Sequence, residues 1–143
     1  MNEAPNMNAT RTHPPRTAAC CCGQLQAQVV CEPLRVSACH CLACQRRSGS
    51  VFSAQARFPR SAVTISGASS EFVRTGDEGT TSRFHFCPRC GTTVYYTPEH
   101  DPEIVAIPVG VFADPSFPAP SYSVYEERKH SWVNLTGDLE HLA

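Results

Sequence analysis

Apolar and polar residues alternate along much of this chain, and the alternation has a period of two. From residue 24 to residue 30, Leu25, Ala27 and Val29 alternate with three glutamines. The same alternation returns over residues 51–58 and stops at Pro59. Because successive side chains of a β-strand point to opposite faces, both stretches are predicted to be half-buried strands.

Shorter runs of the same kind predict most of the remaining structure. Six further strands are predicted at residues 34–38, 62–65, 71–75, 82–86, 92–97 and 122–125. The most apolar run, residues 104–112, is predicted to be a buried strand interrupted at Pro108. No window keeps a 3.6-residue period, and the 143-residue chain contains twelve prolines. The pattern therefore predicts a single, mainly β domain.

The amino-terminal residues have a different composition. Residues 1–17 are polar, contain three prolines and have no apolar core of the kind found in a secretory signal. We predict a disordered arm over 1–17 and a folded domain over 18–143. No apolar run approaches the roughly 20 residues that span a bilayer. The net charge of −1 gives no electrostatic argument for binding nucleic acid or an anionic membrane.

Nine cysteines are a high number for a chain of this length. Their odd count and their spacing as C-x-C and C-x-x-C argue against a disulfide framework. The three consecutive cysteines at positions 20–22 are also poorly placed to pair with one another. These features favour metal binding in a reducing, cytoplasmic setting.

The densest cysteine cluster is Cys39-His40-Cys41-Leu42-Ala43-Cys44. Cys41 and Cys44 form a C-x-x-C knuckle, and a bend at His40 brings Cys39 towards the same ion. Zinc prefers four ligands in a tetrahedron, and catalytic zinc keeps one position for water or substrate. Three thiolates would leave that position open, whereas a distant Cys or His would close it. The spacing alone favours neither alternative.

The other knuckle cysteines predict a second, closed site. Its four ligands would be Cys20, Cys22, Cys87 and Cys90. In the second knuckle Pro88 fixes the turn, and Gly91 can adopt the positive φ that follows it. A closed four-cysteine zinc contributes to folding. The alternative is that Cys21 or Cys31 is a ligand, but both are predicted to be ordinary buried thiols.

Three cysteine motifs follow one another along the chain: C-x-C-G, then C-H-C-x-x-C-x-R-x-S-G, then F-C-x-x-C-G, with Lys129 shortly before Trp132. In this order they resemble the glutathione-dependent formaldehyde-activating enzyme family over residues 20–132. The resemblance implies a zinc-stabilised β domain similar to the Mss4-like folds. It also implies two zinc ions per chain, a structural one at the four-cysteine set and a catalytic one at the three-cysteine set. The chain departs from the usual pattern at Gln45 and at Cys21.

The resemblance further implies a carbon–sulfur lyase similar to S-(hydroxymethyl)glutathione synthase. A thiol such as glutathione would enter the open metal position, lose its proton and add to formaldehyde. Arg46 and Arg47 follow the site directly and are predicted to bind the carboxylates of the thiol. His40 is a weaker candidate for orienting water or donating a hydrogen bond.

Two other classes of protein remain open. A two-zinc β scaffold could serve as a protein-binding module without catalysis. An iron–sulfur centre is a third possibility, although the spacing does not match the usual ferredoxin run. Metal identity and stoichiometry would separate the three classes.

Overall fold

The computed structural model describes residues 14–76 and 79–143, and the description below concerns these residues. The strands are β1 Arg16–Ala19, β2 Gln26–Val29, β3 Arg35–Cys39, β4 Ser53–Pro59, β5 Val63–Ser66, β6 Ser70–Thr75, β7 Thr81–Phe86, β8 Thr93–Pro98, β9 Ile104–Pro108, β10 Tyr122–Val124 and β11 Glu140–His141. One α-helix, α1, spans Leu42–Ser48. Short 3-10 turns occupy Arg60–Ala62, Val109–Phe112 and Glu126–Arg128.

The strands form a large sheet and a small one. The large sheet has the order β11-β10-β3-β4-β9-β8-β7-β6, and the small sheet has the order β1-β2-β5. Strand β10 runs parallel to β3 and to β11, and the other pairs are antiparallel. The mainly β prediction is confirmed, and none of the described helices is long and apolar enough to cross a membrane.

The main core lies between the two sheets. Leu25, Ala27 and Val29 of the small sheet are fully buried in one cluster with Phe58 and Ile107 of the large sheet. On β4 and β9, the residues that alternate with these core residues point to the opposite side of the large sheet, because successive side chains of a strand alternate. That opposite side, called the pocket face below, carries the polar residues of β3 and β4.

Nine predicted strands correspond to β2 through β10, and the apolar run at residues 104–112 leaves the sheet at Pro108 as expected. Three elements were not predicted by the pattern: β1, α1 and the two-residue strand β11. Helix α1 has seven residues, of which only Cys44 is buried, so it is too short to show a helical period. It begins after Cys41, which caps it, and ends at Gly49 with φ 76°.

The predicted arm over residues 1–17 needs a correction at its end. Residues 1–13 lie outside the described residues. Arg16 and Thr17, in contrast, belong to β1 and pair with Val29 and Gln28 of β2. The Arg16 guanidinium also lies 4.9 Å from the centre of the Phe117 ring. Strand pairing and this contact fix two residues whose composition alone suggested disorder.

Candidate metal centres and the pocket beside them

Four sulfur atoms converge where the small sheet meets the β7–β8 connection. The sulfurs of Cys20, Cys22, Cys87 and Cys90 all lie within 4.8 Å of one another. Cys22 Sγ is 3.6 Å from Cys20 Sγ and 3.7 Å from Cys87 Sγ. A tetrahedral zinc with four Zn–S bonds of 2.3 Å has sulfur–sulfur edges of about 3.8 Å. The donor set and its spacing therefore fit a closed metal site.

Backbone amides donate hydrogen bonds to sulfurs of this cluster. The amides of Leu25 and Arg89 each donate a hydrogen bond of 3.3 Å to a cysteine sulfur, to Cys20 and Cys87 respectively. Gly91 has φ 84°, as predicted, and its amide closes the knuckle on the Cys87 carbonyl. Hydrogen bonding from Thr92, whose hydroxyl is 3.5 Å from the sulfur, lowers the pKa of Cys90 to about 5.

Cys21 does not belong to this site, and the prediction that it is buried is wrong. It is exposed, because residues 20–23 form a tight turn in which the Gly23 amide bonds to the Cys20 carbonyl. The Cys21 amide donates to the Thr92 hydroxyl at 3.2 Å. Cys31 is buried in the core as predicted and lies in neither cysteine cluster.

The three-cysteine site lies where β3 passes into α1. Cys39 ends the strand, Cys41 caps the helix, and Cys44 lies in the first helical turn. Their sulfurs lie within 4.8 Å of one another, and among the described residues no fourth His, Cys, Asp or Glu joins the group. Hydrogen bonds from the thiols of Cys39 and Cys44 lower the pKa of Cys41 to about 2. The group therefore offers three sulfur ligands and already favours a thiolate.

His40 lies between two of these ligands but turns away from them. Its ring is fully buried, its Nε2 lies 2.9 Å from the Ser123 hydroxyl, and its centre is 5.6 Å from that of the Phe52 ring. Burial lowers the pKa of His40, so that the ring is neutral near pH 7. His40 is absent from the residues that line the adjoining pocket. These contacts join the ligand segment to β10.

Gln45, one of the two departures from the family pattern, holds the same segment from the other side. Its side-chain amide donates to the carbonyl of His40 at 2.8 Å and to that of Arg128 at 3.2 Å. Its carbonyl oxygen lies 3.1 Å from Nε2 of His130. A neutral amide at this position therefore links α1, the ligand segment and the chain beyond β10.

A pocket of about 290 Å³ opens beside the three-cysteine site. Its wall includes Arg35, Ser37, Cys39, Cys41, Cys44, Gln55, Arg57, Arg74, Tyr96, His100 and Tyr125. Strands β3 and β6 both contribute, although four other strands separate them in the sheet order. The large sheet therefore curves around the pocket. No acidic residue belongs to this wall within the described part of the chain.

Three arginines line this pocket, and no carboxylate among the described residues lines it with them. Arg35 and Arg57 stand directly opposite each other on β3 and β4, an arrangement that is destabilising for like charges. Arg74 reaches in from β6, with its guanidinium 4.7 Å from the centre of the Phe84 ring. Nε of Arg57, and both Nε and Nη1 of Arg74, are buried without a hydrogen-bond partner among the described residues. Unpaired buried donors are costly, so the pocket is suited to an anionic ligand.

The arginines predicted to bind substrate lie elsewhere. Arg46 is exposed on α1, and Arg47 donates a hydrogen bond of 2.9 Å to the Ser53 hydroxyl. Neither lines the pocket. Arg47 lies three residues after Cys44, on nearly the same face of α1, but its side chain is bound to Ser53 and its guanidinium lies 5.2 Å from the centre of the Phe84 ring. The sequence signal for Arg35 and Arg57 is the polar face of β3 and β4, whereas Arg74 comes from β6. In the sequence, the polar face of β3 and β4 has the same pattern as a strand side that is exposed to solvent.

Together these features define a mainly β domain with two cysteine clusters that could each hold a metal ion. The family model described as glutathione-dependent formaldehyde-activating enzyme matches residues 15–128. The chain belongs to this family, and its fold is Mss4-like.

Among solved structures, the chain is similar to the crystal structure of a Rhodobacter sphaeroides protein, a Northeast Structural Genomics target. The TM-score is 0.51 at 23% identity, covering 66% of this chain and 85% of the other. This likeness concerns the fold alone. Among curated proteins no significant match was found.

Proposed function

We propose that this chain catalyses the reversible addition of an anionic thiol, such as glutathione, to formaldehyde, which in reverse is a carbon–sulfur lyase step. One observation carries the proposal: a pocket that three arginines line, without a carboxylate among its described residues, adjoins a cysteine cluster that has three sulfur ligands and no fourth among the described residues. The name of the family supports the same chemistry.

Both cysteine clusters are proposed to hold zinc, two ions per chain, with the four-cysteine site structural and the three-cysteine site catalytic. The sulfur spacing at the first and the donor set at the second support this assignment. A zinc ion bound by Cys39, Cys41 and Cys44 would supply the positive charge that keeps an incoming thiol deprotonated.

The pocket arginines would bind and orient the thiol through its carboxylates. Guanidinium groups make paired hydrogen bonds to carboxylates, and the side chains of Arg57 and Arg74 both line the pocket. Arg35 stands at the pocket with its guanidinium 4.1 Å from the centre of the Tyr122 ring. Glutathione carries two carboxylates, which matches more than one arginine on the wall.

Tyr96, which lines the pocket, is proposed to donate the proton. Burial raises the pKa of Tyr96 to about 12, so the phenol stays protonated at neutral pH. When the thiolate sulfur bonds to the carbonyl carbon, the electron pair of the C=O bond moves to oxygen. A phenol hydrogen bond to that oxygen would stabilise the developing charge, and proton transfer would complete the S-hydroxymethyl product.

Cobalt substitution tests the proposal directly. We expect the protein loaded with cobalt to show a saturable change in its visible spectrum with glutathione, since a fourth sulfur ligand alters the metal's coordination. S-methylglutathione, which has no thiol to deprotonate, should give no such change. No spectral response to glutathione or other small thiols would contradict an open site. That outcome would instead favour a two-zinc scaffold that acts as a binding module.

The arginines provide a second prediction. Replacing Arg57 by methionine keeps most of the apolar stem but removes the charge, and we expect the KM for glutathione to rise roughly 10- to 100-fold. A hydrogen bond to a charged group contributes about 1.5–3 kcal/mol, which corresponds to this range. The hydrogen bond to the carboxylate is expected both in the bound substrate and in the transition state. Its loss should therefore change kcat much less than KM.

Arg83→Met is the matched control, since it removes the same charge. Arg83 lies on the other side of the sheet and pairs at the surface with Glu71 at 3.2 Å and Glu99 at 2.6 Å. We expect its KM to stay within about twofold of wild type, as for other surface ion pairs. An equal rise in both variants would indicate a long-range charge effect and remove Arg57 from the binding site.

A further inference from the structure

A groove with an almost entirely apolar lining lies next to the pocket. Leu42 and Phe72 line it and are 52% and 57% exposed, high values for large apolar side chains. Ala43 and the side chains of Arg46, Arg47 and Arg74 complete its lining, and its volume is about 510 Å³. Exposed apolar surface of this kind, beside a polar site, commonly marks a place where a ligand binds.

The groove and the pocket form one continuous surface. Ala43 and Arg74 line both of them. Leu42 directly follows Cys41, so the lining of the groove begins at the residue next to a ligand of the three-cysteine site. On the sheet, Phe72 pairs with Phe84, whose buried ring stacks on Tyr96 at 4.6 Å and lies under the Arg74 guanidinium. Ala43 and Arg74 therefore join the groove to the pocket that contains the proposed reaction centre.

Formaldehyde has no substituent that could reach this groove. We propose that the groove binds the apolar chain of a larger aldehyde, so that the enzyme forms and cleaves thiol adducts of hydrophobic aldehydes. This inference rests on the proposed function, because the sulfur must lie at the three-cysteine site while the chain extends past Ala43. Arg35 and Arg57, which line the pocket but not the groove, would hold the carboxylates of the thiol.

The reaction is balanced without any other reactant. The thiolate sulfur forms a bond to the aldehyde carbon, the C=O pair moves to oxygen, and oxygen takes a proton to give a hemithioacetal. In reverse the hydroxyl loses that proton and the carbon–sulfur bond breaks, which returns thiolate and aldehyde. No oxidation or reduction occurs.

Binding of stable thioethers provides the first test. S-hexylglutathione and S-methylglutathione carry the same carboxylates and differ by five methylenes beyond the sulfur. Calorimetry should show the hexyl compound binding at least about tenfold more tightly, since each buried methylene strengthens binding about fourfold.

The double variant Leu42→Ser/Phe72→Ser should lose this preference. Val73→Ser should keep it, because Val73 is 44% exposed on the same strand but faces away from the groove. Equal affinities in the wild type, or binding of neither compound, would overturn the inference.

Exchange rates provide the second test. Magnetisation-transfer NMR at equilibrium can compare adduct formation by glutathione with formaldehyde and with hexanal. We expect the enzyme to accelerate both, and the ratio of the hexanal rate to the formaldehyde rate to fall about tenfold in the double variant. Acceleration with formaldehyde but not with hexanal would overturn the inference alone. Acceleration with neither aldehyde would overturn the proposed function as well.

A second copy of the chain is the competing occupant of the groove. Sedimentation velocity on the wild type and the double variant distinguishes it from an aldehyde chain. We expect both to have the same oligomeric state. A wild-type dimer that the double variant converts to a monomer would assign the groove to an interface between copies and overturn the inference.

Discussion

Replacing Cys87 by serine is expected to unfold the domain. Cys87 is fully buried, and its site joins the turn at residues 20–23 to the knuckle after β7, so it ties the small sheet to the large one. The free energy with which structural zinc binds zinc-finger peptides is about 10–16 kcal/mol. This is comparable to the whole free energy of folding of a typical domain, about 5–15 kcal/mol. Losing one of four ligands should therefore leave the chain insoluble or lower its melting temperature by at least about 10 °C.

Cys21→Ser is the control for this experiment. It makes the same sulfur-to-oxygen change at a residue between the ligands Cys20 and Cys22, but Cys21 is exposed and lies outside both clusters. We expect its melting temperature and metal content to match the wild type, as measured by circular dichroism and elemental analysis. A soluble Cys87→Ser protein with the melting temperature of the Cys21→Ser control would contradict the structural role of the four-cysteine site.

Much of the sheet could be predicted because its strands are half buried. In β2 and β4 one side faces the core and the other does not, so the period of two is visible in the sequence. Helix α1 could not be predicted in this way, since a seven-residue helix with one buried side chain has no periodic pattern. The helix is defined by its two ends, the Cys41 cap and Gly49. From the sequence, Cys41 is predicted as a metal ligand and not as a helix cap.

The grouping of the cysteines could also be predicted, because few arrangements satisfy tetrahedral ligation with these spacings. The arginines of the pocket could not. Arg57 and Arg74 come together only because the large sheet curves, and curvature depends on twist accumulated over many strands. Arg46 and Arg47 are adjacent in sequence to the ligands, but their side chains line the groove beside α1 and not the pocket.

Replacing Cys41 by serine is expected to abolish thiol-dependent turnover while leaving the fold intact. Cys41 contributes one of only three sulfurs at its site, so metal content should fall from two ions per chain to one. It also caps α1, where its sulfur accepts a hydrogen bond from the Cys44 amide at 3.3 Å. Serine is among the preferred residues at this position, so the substitution removes a metal ligand but keeps the cap.

The rest of the ligand segment is held by contacts that do not involve a metal. His40 bonds to Ser123, and Gln45 bonds to the His40 carbonyl, at 2.9 Å and 2.8 Å respectively. We therefore expect a melting temperature within about 5 °C of the wild type, together with a loss of at least about 100-fold in the enzyme-catalysed exchange rate.

Cys41→Ala separates the two roles of the residue, since it removes the ligand and also the cap. It should be as inactive as Cys41→Ser but less stable by about 1 kcal/mol, the usual contribution of a cap. If Cys41→Ser instead collapses as completely as Cys87→Ser, the three-cysteine site is structural. The open-site assignment, and the thiol chemistry proposed on it, would then be wrong.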